Sequence, residues 1–224
     1  MNSIWYNEPI PMDNTVGSLT QFQKSVILGS LLGDGYTRIL PGRTNAFLEI
    51  NHGYNAKEYV DWKFQVLKNI CISEPKMRKG NGKRIAYRFF TKQHPEITEL
   101  HAQFYRDRLK VVPESLQLDS VILSIWFMDD GSRCRDRDVY LNTQQFRKED
   151  QEVLLEKLKG LGLQASLNRD KEYYRIRFLS DSVRRLNDLI RNYVIPSMRY
   201  KLSYNPVETC EYQEDIPYAG VKPV

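Results

Sequence analysis

The sequence predicts an α+β fold made of two related halves, each running helix, strand, strand, helix, strand, strand, helix. Two duplicated apolar segments ending in Asp-Gly, period-two alternation in several short runs, and a shared order of elements predict it. "QKSVILGSLLGDGY" parallels "LDSVILSIWFMDDGS", and Asp34-Gly35 answers Asp130-Gly131 at a spacing of 130 − 34 = 96 residues. "LEINHGYNAKEYVDW" then answers "YLNTQQFRKEDQEVL", "AYRFFTKQHPEITEL" answers "RIRFLSDSVRRLNDL", and "VVPESL" answers "VIPSMR". One such match is cheap by chance; four in the same order indicate a duplication.

The first helix is expected to open at Ser18, with Gln21 as capping-box partner. Phe22, Val26 and Leu31/Leu32 follow helical spacing, while Gly29 and Gly33 lie four apart on one face. Glycine costs a helix ~1 kcal/mol against alanine. Two of them here point to close backbone approach, with the matching helix of the other half as the neighbour.

The strands carry alternating faces. Asn45, Phe47, Glu49 and Asn51 oppose Ala46, Leu48 and Ile50; Arg84, Ala86 and Arg88 oppose Ile85, Tyr87 and Phe89. In the second half Lys171, Tyr173, Arg175 and Arg177 oppose Glu172, Tyr174, Ile176 and Phe178. Each sheet thus gains an apolar face for its helices and a polar face able to lie in a DNA major groove. The candidate DNA face comprises Arg38, Arg43, Asn45, Glu49, Asn51, Lys76, Arg78, Arg84 and Arg88 in the first half. In the second it comprises Arg133, Arg135, Arg137, Tyr140, Asn142, Arg169, Lys171, Tyr173, Arg175 and Arg177. Arginine on a solvated sheet face is ordinary; its recurrence on equivalent strands is the signal.

Bulk composition sets the limits. At 224 residues the chain suits one large domain or two small ones, and 41% hydrophobic residues with fourteen tyrosines and nine phenylalanines exclude global disorder. A formal charge of +5 suits a polyanionic partner without requiring one. Cys71, Cys134 and Cys210 are scattered and form no metal-ligand spacing. The opening "MNSIWYNEPIPMDN" has no basic-then-apolar pattern, and no apolar run approaches the ~20 residues a bilayer needs. A soluble protein that is not secreted is expected, in the cytoplasm of a prokaryote or the matrix or stroma of an organelle.

If the two apolar segments pack as helices, their C-terminal ends bring Asp34 and Asp130 together. Carboxylates repel one another, and a helix C-terminus adds negative partial charge. A divalent cation resolves that conflict, and oxygen donors with few histidines select Mg²⁺ over zinc. Metals beside two basic sheets describe metal-assisted phosphodiester hydrolysis. A single Asp-Gly would be read as a polar C-cap; the duplicated pair is not.

"ILGSLLGDG" and "LSIWFMDDG" resemble the two motifs of LAGLIDADG homing endonucleases in their single-chain, two-motif form, and the resemblance runs from about Ser18 to Leu202. "LNTQ" after the second motif and "IPSMRYKL" near the end support it. It implies two αββαββα repeats, a saddle of two antiparallel sheets, and two central packed motif helices. A monomer dividing into an N-terminal arm (1–17), a first repeat (18–112), a second repeat (113–203) and a C-terminal tail (204–224) follows. The implied activity is intron-encoded cleavage of double-stranded DNA across the minor groove, leaving short 3′ overhangs and using two or three Mg²⁺ ions between the motif helices. Asp34 and Asp130 match the family's metal ligands, with Gly33 and Asp129 beside them in the metal-binding set. The trailing glycine favours Asp130 over Asp129 as ligand. Lys201, Gln144 and Lys110 are carried over as groups that position water or steady the phosphate; in the aligned sequence they are not duplicated. Ile125 and Asp129 stand where the family often has small residues, which implies asymmetric helix packing.

An RNA maturase, or a regulator that binds DNA without cutting, is the alternative on the same fold, with intron RNA as a partner. His52, His94 and His101 are too few and too scattered for a histidine-based nuclease. His52 could approach the site through the first hairpin, but as a lone histidine it reads first as a surface or DNA-face residue. The acid-x-Lys element "DWK" (Asp61 to Lys63) reads as the surface of an amphipathic helix, and "EPK" (Glu74 to Lys76) as a chance match.

Overall fold

The computed structural model describes residues 17–80, 82, 84–135 and 138–202, Arg135 by its backbone alone. The expected tail and all but Gly17 of the expected arm lie outside them. The first half runs helix α1 (Gln21–Leu32), strands β1 (Tyr36–Ile39) and β2 (Ala46–Gly53), helix α2 (Lys57–Leu67), strands β3 (Lys76–Lys79) and β4 (Ile85–Phe90), and helix α3 (Pro95–Phe104). A small hairpin then follows, β5 (Tyr105–Arg106) and β6 (Leu109–Lys110). The second half repeats the series as α4 (Ser120–Asp130), β7 (Gly131–Arg135), β8 (Asp138–Leu141), α5 (Lys148–Gly160), β9 (Ala165–Asp170), β10 (Tyr173–Phe178) and α6 (Ser180–Ile190). The duplication is complete in topology: two antiparallel sheets have the orders β1-β2-β4-β3 and β7-β8-β10-β9.

Helix α1 begins two residues later than expected. Thr20 is its N-cap, and the Thr20 hydroxyl and Gln23 side chain accept from each other's backbone N–H groups. Ser18 to Gln21 has the same spacing, but Leu19 is buried just ahead of the Thr20 cap, which fixes where the chain enters the helix. At α3, His94 caps the helix by accepting from the Glu96 N–H, and Pro95 starts it.

The two motif helices are buried on almost every side: Ile122 through Met128 form an unbroken buried run in α4, and Val26, Ile27, Leu31 and Leu32 are fully buried in α1. A helix that is apolar all round belongs at the centre of a protein. Its contact with the other is small against large. A Cβ on Gly29 would stand 2.6 Å from the Ile125 Cβ and 2.7 Å from the Ile122 carbonyl oxygen, and one on Gly33 would collide with the Asp129 side chain. Because 125 − 29 = 96 and 129 − 33 = 96, each glycine packs against its own counterpart in the duplication. The expected close approach and asymmetry are therefore one feature. Gly29→Ala is expected to cost ~1–3 kcal/mol by overpacking, and Ile125→Ala in the same chain to recover part of it. Equal urea midpoints for Gly29→Ala and wild type would refute the close approach.

The strand faces follow the expected alternation with two corrections. Lys171 and Glu172 are not strand residues: Asp170 pairs with Tyr173, leaving a two-residue hairpin loop in which Lys171 has φ +56°. Ile85, expected on the apolar face, is 46% exposed at the start of β4, while Tyr87 and Phe89 beyond it are buried. Phe47 lies on the polar face yet is buried, with the Arg38 guanidinium 5.1 Å from its ring centroid and Phe90 packed edge-on. Among the described residues no helix is long and apolar enough to cross a membrane.

Candidate active site at the paired helix ends

The ends of α1 and α4 meet where the two halves pack. Asp34 follows α1 with its side chain 52% exposed, while its backbone N–H donates to Asp129 Oδ2 at 3.2 Å. The Asp129 side chain is fully buried, and Lys63 Nζ, also fully buried, donates to its two oxygens at 2.8 and 3.1 Å. His52, at the inner end of β2, stands between the acids: Nδ1 is 3.4 Å from Asp34 Oδ2 and Nε2 is 3.7 Å from Asp129 Oδ1.

This placement corrects two readings. Lys63 lies in a helix as expected, but facing the core instead of solvent. It occupies the apolar stripe Tyr59, Val60, Lys63, Phe64, Leu67, which is legible in the sequence once helical spacing is applied to the lysine itself. His52 is likewise a buried residue rather than a surface one.

The neighbouring acids separate chemically. Burial alone would raise the Asp129 carboxyl, but Lys63 and His52 beside it hold it below its ordinary value. At Asp130 burial, then Asp129 and Asp34, outweigh the opposing pull of Lys110 and Lys201 and push it up to about 8. Burial lowers His52 against the pull of Asp129.

The raised Asp130 value carries a stability consequence. Between an ordinary carboxylate value of ~4 and about 8, the folded chain keeps a proton that the unfolded chain releases. In chelator, stability should therefore fall as pH rises through this window, and Asp130→Asn should flatten the fall. Thermal melts across the window check this; equal slopes for variant and wild type would refute it.

Two lysines complete the site. Lys110 Nζ donates to the Gly33 carbonyl at 2.7 Å, and Lys201 Nζ to the Met128 and Asp129 carbonyls at 2.6 and 3.1 Å. Gly33 and Asp129 are counterparts, so the lysines are duplicated in space although they do not align in sequence. The β5–β6 hairpin delivers Lys110, and a short 3-10 helix at Pro196–Lys201 delivers Lys201. Burial lowers both ammonium groups, Lys110 to about 8. The Gly33 carbonyl is thereby engaged by Lys110 and also accepts from Gln145 at 3.3 Å.

Gln144, expected at the centre, instead donates to Asp170 at 3.0 Å. The next residue, Gln145, reaches the Leu32 carbonyl at 3.0 Å and Asp130 Oδ2 at 3.4 Å. The chain leaves β8 through a turn there, so strand alternation no longer fixes which glutamine points inward.

The candidate DNA face divides three ways. Arg43, Lys76, Arg78, Arg84, Arg133, Arg169 and Tyr173 are exposed. Arg38 and Arg88 flank Glu49 at 4.0 and 3.1 Å, Arg177 pairs with Asp138, and Arg175 lies 4.0 Å from the centroid of buried Tyr140. Asn45 accepts from Thr98, and the Asn142 amide donates to the Asp130 carbonyl and Ser132, tying both to the scaffold. The Asn51 Oδ1 is buried without a hydrogen-bond partner among the described residues. Arg137 and the Arg135 side chain lie outside the described residues.

The sequence model of the LAGLIDADG DNA endonuclease family matches residues 24–186. The chain is 28% identical over 202 residues to "Probable intron-encoded endonuclease 1" of Wickerhamomyces canadensis, covering 84% of this chain and 87% of that one. It is 26% identical over 210 residues to the cytochrome b mRNA maturase bI2 of Saccharomyces cerevisiae, covering 85% of this chain but 49% of that longer protein. Among solved structures, the homing endonuclease I-WcaI bound to its DNA recognition sequence superposes with a TM-score of 0.78 at 27% identity, over 84% of this chain and 89% of that one. With the duplicated topology and motif-terminal acids, these matches establish that the chain belongs to the LAGLIDADG DNA endonuclease family.

Proposed function

We propose that the protein is a monomeric, intron-encoded, Mg²⁺-dependent homing endonuclease that cuts both strands of a long DNA site across the minor groove and leaves short 3′ overhangs. The observation that carries this reading is the pair of motif-terminal acids, Asp34 and Asp130, at the ends of two packed helices that each lead into an arginine-bearing sheet. The donor set fits a hard divalent cation: exposed Asp34 and crowded Asp130 offer carboxyl oxygens, and a cation would relieve the repulsion that raises Asp130. Bound there, divalent ions supply water activation and stabilisation of the leaving oxygen.

The remaining chemistry belongs to the side chains. Lys110 and Lys201 hold the helix-end carbonyls and place positive charge where a scissile phosphate approaches. Gln145 ties the end of α1 to Asp130, which makes it a better candidate than Gln144 for positioning water. The exposed basic residues of both sheets supply phosphate contacts, and Asp129 with Lys63 ties α4 to α2 of the other half. The DNA-bound relative I-WcaI supports double-stranded DNA as the substrate.

RNA maturation is the second reading, favoured by the maturase relative matched over most of this chain. Selecting cut sites from a randomised DNA library with Mg²⁺, and again with chelator, separates the two. Recovery of one long motif, cut only with Mg²⁺, is expected. Tight binding of intron RNA with no DNA cut at any site would favour the maturase.

A further inference from the structure

We propose that His52 is a nitrogen ligand in a cation site of the first half, its Nδ1 sharing an ion with Asp34 while Asp129 orients the ring from behind. The inference rests on the reading of Asp34 as a cation ligand and adds a donor of a different kind. His52 is 8% exposed, and its Nε2 is buried with no hydrogen-bond partner among the described residues. Buried polar atoms are almost always satisfied, so this ring is poised to turn its Nε2–H onto Asp129 once Nδ1 takes an ion.

The spacings fit co-ligands. Nδ1 and Asp34 Oδ2 are 3.4 Å apart and form no hydrogen bond. Two donors each ~2.1 Å from one tetrahedral ion stand ~3.4 Å apart. Nε2, on the far side of the ring, faces Asp129 Oδ1 at 3.7 Å. Ligating histidines characteristically give their second N–H to a carboxylate, which fixes the tautomer and the ring plane. Asp129 suits that role better than direct ligation, because its oxygens already accept from Lys63 and from the Asp34 N–H. Lys63 balances the Asp129 charge, and Tyr59 packs against the imidazole with ring centroids 5.4 Å apart.

The site belongs to one half only. Strand registers pair Tyr36 with Glu49 and Gly131 with Leu141, so the counterpart of His52 is Thr143. The Thr143 hydroxyl is buried and committed to Gln151 at 2.8 Å. The first half therefore offers nitrogen and oxygen, the second carboxylate oxygen. Imidazole suits transition ions better than Mg²⁺, so the first half should take Mn²⁺, Co²⁺ or Cd²⁺ in preference to the second.

The test uses the full chain without DNA, labelled with ¹⁵N-histidine and titrated with ¹¹³Cd²⁺. His94 and His101 are already engaged, with the Glu96 N–H and with Thr37, and serve as internal controls. A ¹¹³Cd–¹⁵N splitting on His52 Nδ1 alone is expected, lost in Asp34→Asn. Calorimetry should show His52→Gln abolishing this binding, and Asp129→Asn weakening it ~10–100-fold without abolishing it. No binding without DNA, binding that leaves the His52 signals unsplit, or unchanged binding in His52→Gln would each overturn the proposal. Mg²⁺-dependent cleavage by wild type and its loss in Asp34→Asn, measured separately, would leave the nuclease reading standing in those cases.

Discussion

Lys63→Met is expected to cost ~3–5 kcal/mol of stability, the penalty for leaving a buried carboxylate without its counter-charge. Lys63 and Asp129 are both fully buried and joined by two hydrogen bonds, so no water is available to replace either partner. The double variant Lys63→Met, Asp129→Asn should recover most of that loss, because the isosteric amide carries no charge and can still accept from the Asp34 N–H. Urea unfolding of the two single variants and the double variant forms the cycle. Additive losses would mean that the pair does not act as a unit. A site that joins helix α2 of one half to helix α4 of the other holds together the part of the molecule where both candidate ligands lie.

Asp34→Asn and Asp130→Asn are each expected to leave DNA binding nearly unchanged and to slow cleavage by ~10²–10³-fold, the scale of losing one preorganised charge-stabilising group. Their stabilities should diverge in chelator. Asp130→Asn relieves the crowding of three acids and should melt higher than wild type at neutral pH, whereas the exposed Asp34 should change little. The divergence separates loss of chemistry from loss of folding. A double variant that cuts as fast as wild type would remove the assignment. In all three variants binding should weaken steeply with salt, since phosphate contacts release counterions.

Much of this was legible beforehand because it is written in patterns local to one segment. The apolar run Ile122 to Met128 announces a central helix, the Asp-Gly pair announces its end, and Gly29 with Gly33 announces a close partner. Strand faces followed from alternation, except where Lys171 and Glu172 form a hairpin loop and where Ile85 is exposed at the start of its strand. Lys63 could have been found too: a lysine on a helix's apolar stripe needs a buried acid, and the second motif supplies a spare one in Asp129.

Other features required distant segments to meet. Lys110 and Lys201 occupy equivalent places because a hairpin in one half and a short 3-10 helix in the other end at matching carbonyls, which alignment along the chain does not reveal. Gln145 rather than Gln144 reaches Asp130 because the chain leaves its strand just before them.

The sequence by itself determined the duplicated architecture, the motif helices and the two acids that close them, since helical spacing, alternation and glycine placement act over a few neighbouring residues. Only the tertiary structure decided which carboxylate is buried and paired, which is crowded and holds its proton, and that a lone histidine stands between them. Burial and electrostatic interaction depend on groups brought together from positions 34, 52, 63, 129 and 130, and that proximity exists only once the two halves have packed.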